Sequence, residues 1–126
     1  MGKYVDGFVF VVPDDKTDDY IQMAKEGARM WKELGASEYF ECRGNDLFPK
    51  PMEEEAQLTF PVMAKAKPGE TVWFSFIVFK SKEHRDEVNA KVNDQMEKEM
   101  NNYVSVPMPF EVSRMAYGGF EVVVEA

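Results

Sequence analysis

Few residues of this chain could hold or transform a small molecule: one histidine, one cysteine, and some carboxylates and hydroxyls set among aromatics. Read as alternating strands, the sequence places Asp6, Phe8, Trp73, Ser75, Tyr117 and Glu121 on one face of a sheet. An apolar surface with a few oriented polar groups is the usual form of a small-molecule pocket. The plainer reading puts Asp6 and Glu121 in solvent at strand ends, with Ser75 fitting a tight core. His84 falls in the first turn of a helix beside Arg85. A helix N-terminus disfavours imidazolium, so a neutral His84 could act as a base or electrophile. An exposed polar residue beside Glu83 and Asp86 is the simpler account.

Other chemistry is scarce. A single histidine argues against a metal centre, and no Asp/Glu spacing resembles a coordination loop. Cys42 would need a neighbouring base or cation to become a nucleophile, and Arg43 points to the opposite face of the same strand. A small buried residue is the expectation there. Nucleophile triads, phosphate loops, dinucleotide fingerprints and CxxC pairs are absent, which removes most hydrolases, kinases and dehydrogenases. No cofactor is expected.

Composition narrows the partners. The chain has 126 residues, 44% of them apolar, which suits one domain with a real core. A net charge of −8 argues against nucleic acid and against an anionic membrane surface. The lone cysteine fits a reducing compartment, and the first apolar run reads as a strand, not a leader peptide. No stretch approaches the ~18 apolar residues of a membrane span. The expected location is the cytoplasm.

The elements that must position these residues are organised around Thr71–Phe79, a run without Pro, Gly or charge in which both faces are apolar. It predicts a central strand covered on both sides. Tyr4–Val12 predicts the first strand and Lys16–Leu34 a helix with Tyr20, Met23, Ala24, Gly27, Trp31 and Leu34 as its stripe. Ala36–Arg43 reads as an edge strand. The irregular Gly44–Gly69 excursion carries a short helical turn capped by Thr59. Ser81 caps a second helix, Lys82 to Met100, and Arg114–Val124 is the last strand, where Gly118-Gly119 suggests a bulge or a close backbone approach.

This order is the split βαβ pattern of an α+β, ferredoxin-like βαββαβ antiparallel sheet with two helices on one face. The small side of the first strand (Val5, Gly7, Val9 and Val11) is expected to meet the helices. The bare face would then carry Phe8, Phe10, Trp73, Ile77, Phe79 and Val123. Such a patch predicts an interface in which two copies pack sheet to sheet and enclose a cavity.

Four segments, KYVDGFVFVVPDDK, FECRGND, TVWFSFIVFKSKEHRD and MPFEVSRMAYGGFE, resemble the YbaA-like family of small bacterial proteins, a domain of unknown function. The resemblance spans nearly the whole chain, with departures at Leu47–Pro61 and Asn102–Pro107. It implies the dimeric α+β barrel superfamily and supplies no substrate. The expected function is a cytoplasmic homodimer binding a small apolar molecule in the inter-sheet cavity. The alternatives are a cofactor-independent monooxygenase- or isomerase-like enzyme, or a purely structural dimer without a ligand site.

Overall fold

The computed structural model describes residues 2–48, 58–103 and 108–126. Strand β1 is Tyr4–Pro13, helix α1 Thr17–Glu33, strand β2 Glu38–Arg43, short helix α2 Phe60–Met63, strand β3 Glu70–Phe79, helix α3 Lys82–Tyr103 and strand β4 Ala116–Glu121. The strands form one antiparallel sheet in the order β2-β3-β1-β4. Much of the two divergent segments, residues 49–57 and 104–107, lies outside the described residues.

Local chemistry sets the element ends. Gly35 takes a φ of 123°, a conformation that suits glycine, and the Ala36 N–H reaches back to the Trp31 carbonyl at 2.9 Å to close α1. Thr59 caps α2 by accepting from the Val62 N–H, and Ser81 caps α3 by accepting from the His84 N–H at 3.0 Å. At the start of β3, Arg114 grips Glu70 with two hydrogen bonds of 2.7 and 2.9 Å and also donates to the Lys65 carbonyl. That fork ties the approach to β4 onto the far end of the sheet.

Both long helices lie over the face that carries Phe10, Val12, Trp73, Ile77 and Phe79. One buried cluster joins Phe10, Val12 and Trp73 to Tyr20 and Ala24 of α1 and to Phe110. A second joins Ile77 and Phe79 to Met30 of α1 and to Val88 and Val92 of α3. The expected face assignment is therefore inverted: Phe8, Phe10, Trp73, Ile77 and Phe79 face the helices, and Val5, Gly7 and Val9 do not. The small residues that allow close packing reside on α1, in Ala24, Gly27 and Ala28, so the strands can be aromatic beneath it. A methyl at Gly27 would sit 3.4 Å from the Tyr39 hydroxyl.

Two further expectations are corrected. Gly118 and Gly119 form no bulge, because β4 stays in continuous register with β1 from Val9↔Ala116 to Tyr4↔Glu121. A methyl at Gly119 would collide with the Tyr4 ring, so Gly119 marks a close approach of that side chain, whereas Gly118 faces open space. Cys42 is exposed, on the side of the sheet away from the helices.

Candidate functional site

The edge strand β2 sets Glu41 opposite Ser75 and Arg43 opposite Trp73 in the β3 register. Alternation turns Tyr39, Glu41 and Arg43 toward α1. The helix answers with Ile21, Ala24, Lys25 and Ala28, spaced three and four apart and so on one stripe. Between them lies an open groove of about 400 Å³, walled by these residues and Trp73. Small alanines on the helix leave the space, and aromatic rings from the sheet form its floor.

Hydroxyls converge on one carboxylate there. Tyr20 donates to Glu41 Oε1 at 2.7 Å and Tyr39 donates to Oε2 at 2.7 Å. Ser75 lies directly opposite Glu41 on the neighbouring strand and adds a smaller pull on its carboxyl. Burial pushes the Glu41 carboxyl up from its ordinary value, and the three hydroxyls pull it part of the way back. Burial, and then the charge of Glu41, push both tyrosines far above the usual phenol range, so each remains a donor. The Tyr20 ring is held by Trp73, Phe10 and Phe110 at centroid distances of 5.0 to 5.5 Å. Trp73 is only 4% exposed, and its Nε1 has no hydrogen-bond partner among the described residues. An unpaired buried donor costs about 1–3 kcal/mol.

The anticipated pocket residues do share one face, but it is the helix face and they do not converge. Trp73 lines the groove, and Ser75 lies beside it, opposite Glu41 in the register. Asp6 is buried in an ion pair with Arg85 at 2.7 Å, supported by Asn89 at 3.1 Å, and Arg85 also lies over the Tyr4 ring. Phe8 stacks against Tyr117, which is 77% exposed on β4. Glu121 is exposed on the same edge strand, opposite Tyr4. His84 lies away from the groove: its Nδ1 accepts from the Lys80 N–H at 2.9 Å and its ring meets Phe79 edge-on, a helix-capping arrangement. Sequence reasoning passed over Glu41, Tyr39 and Tyr20 as site residues. A tyrosine and a glutamate two apart on an edge strand, beside a helix whose stripe begins with tyrosine, was the available signal.

The opposite face of the sheet is apolar, with Val11, Val72 and Val78 buried and a patch of phenylalanines left open. Phe40, Phe74 and Phe120 stand 43%, 46% and 62% exposed, and Phe76 stacks between Phe40 and Phe74. Gly7 leaves room for the Phe120 and Phe74 rings to close over it. Among the described residues no cluster of three His, Cys, Asp or Glu is placed to hold a metal ion, and no helix is long and apolar enough to cross a membrane.

The family model described as "Protein of unknown function (DUF1428)" matches residues 3–112. The chain belongs to this family. It is similar to the uncharacterized protein YbaA of Escherichia coli K12, 42% identical over 125 residues and covering 98% of each chain. The same figures hold for the YbaA protein of Shigella flexneri. The YbaA-like resemblance is thus upheld, and these relatives are bacterial. Among solved structures, the chain is similar to a dimeric ferredoxin-like protein from an uncultured marine organism, with a TM-score of 0.63, 12% identity and both chains covered in full. That likeness establishes the ferredoxin-like fold; a fold of this kind hosts many functions, so the family's chemistry must come from its residues.

Proposed function

We propose that this protein is a cytoplasmic small-molecule-binding homodimer in which each subunit takes a small, largely apolar molecule in the groove between α1 and β2. The observation that carries this reading is the convergence of the Tyr20 and Tyr39 hydroxyls on Glu41 in an apolar-walled groove, with Ser75 opposite Glu41 in the register. It moves the binding site from the inter-sheet cavity to the helix side of the sheet. Dimerisation is supported by the bare phenylalanine face, and the dimeric description of the structural neighbour agrees with it.

A second reading, a cofactor-independent isomerase- or monooxygenase-like enzyme, is favoured by one observation: the raised proton affinity of Glu41 suits a group that takes a proton and returns it. Both readings are tested by a ligand-observed NMR screen of small apolar molecules against the wild type and Ala28→Trp, whose indole would fill the groove. Hits that vanish in Ala28→Trp support the site. Hits that persist unchanged place binding elsewhere. Turnover of a hit that stops in Glu41→Gln would select the enzyme.

A further inference from the structure

We propose that the molecule taken by this groove is a monocarboxylate, an acid with an apolar body whose carboxylate pairs with Lys25 and Arg43 while its body lies on Trp73, Ile21 and Ala24. The inference rests on reading the groove as a binding site.

Its basis is the distribution of charge around the groove. Lys25 and Arg43 are exposed liners, whereas Trp73 and Ala24 are buried, so the cations stand at the rim and the apolar groups at the floor. Arg43 lies directly opposite Trp73 in the strand register. Lys25 follows Ala24 and precedes Ala28 by three residues on the groove-facing stripe of α1. Neither cation makes an ion pair among the described residues, so both side chains are available to a ligand at the rim. In a chain of net charge −8, two unmatched cations beside one groove form a local positive field. A guanidinium fork suits a planar carboxylate, and the ammonium adds a second charge to the same head group.

Glu41 does not cancel this preference. It is one carboxylate beside two cations, and each of its oxygens already accepts a tyrosine hydroxyl, so an amine entering the groove would meet two like charges at the rim. A neutral ligand would leave Lys25 and Arg43 unused. The apolar floor disfavours a small, fully hydrated anion such as inorganic phosphate, which would gain nothing from Trp73.

The test uses three probes with one body and different heads: phenylpropionate, phenylpropanol and phenylpropylamine. Binding is read from chemical-shift changes at the Trp73 indole and the Ala24 and Ala28 methyls in the full chain. The acid is expected to bind tightest, and Lys25→Gln combined with Arg43→Gln to weaken the acid about tenfold and the alcohol far less. Circular dichroism of the double variant serves as the folding control. Equal binding of acid and alcohol, or tighter binding of the amine, would overturn the monocarboxylate inference and leave the groove reading intact. Failure of all three probes to move the groove resonances would overturn both.

Discussion

The Tyr20 hydroxyl on α1 donates a 2.7 Å hydrogen bond to Glu41 Oε1 on β2, joining the first helix to the edge of the sheet across the candidate groove. Tyr20→Phe keeps the ring in its aromatic cluster and deletes this donor alone. A hydrogen bond to a charged group is worth roughly 1.5–3 kcal/mol. The variant should lose about that much stability by urea denaturation, and the Glu41 carboxyl should rise further, since the hydroxyl holds it down. A carbon-13 titration in which Glu41 does not move would show that the bond is absent in solution.

Glu41 also sets a pH dependence of its own. Its folded value lies above its ordinary 4.5, so the folded state binds a proton more tightly than the unfolded chain. The stability this contributes is complete below pH 4.5 and is lost as pH rises through the raised value. Glu41→Gln should flatten that decline in a series of denaturation curves. An unchanged slope would assign the dependence to another group.

Glu70 acts in the opposite sense. The Arg114 fork, more than any other cause, holds its carboxyl down at about 2. The ion pair stabilises the fold above the ordinary value of 4.5 and is lost as pH falls toward 2. Glu70→Gln should remove part of the acid destabilisation and loosen the Arg114 segment, seen as faster hydrogen exchange at Met115 and Ala116. Exchange identical to wild type would mean that the fork does not hold the segment.

The Asp6–Arg85 pair should respond asymmetrically. Arg85 keeps Asp86 as a second partner at 2.8 Å, whereas Asp6 would keep only Asn89. Arg85→Met leaves a buried carboxylate without its cation and should cost about 3 kcal/mol. Asp6→Asn should cost clearly less. Equal losses in thermal denaturation would refute the asymmetry.

The bare face of the sheet predicts the assembly state. Phe74→Asp places a charge among Phe40, Phe76 and Phe120 on a side chain that is already 46% exposed in the subunit. The wild type should run as a dimer, and the variant should stay folded by circular dichroism yet run as a monomer, measured by light scattering on a sizing column. A variant dimer would mean that the copies meet elsewhere. Trp73 offers no such probe, since it lies under α1 and its replacement would damage the core.

The element order, the ferredoxin-like topology and the family were legible in the sequence because they depend on periodicity and on caps: alternation in β3, a three-and-four stripe in α1, Thr59 and Ser81 ahead of their helices. Alternation also determined which residues share a face, and Asp6, Phe8, Trp73, Ser75, Tyr117 and Glu121 do share one. Which face meets the helices was decided only in three dimensions. Both faces of β1 and β3 are apolar, so burial alone does not distinguish them, and the choice fell to the small residues Ala24, Gly27 and Ala28 on α1. The groove has the same origin. Tyr20 and Glu41 are 21 residues apart, and no local pattern links a helix hydroxyl to a strand carboxylate until α1 folds across the sheet edge and buries them together.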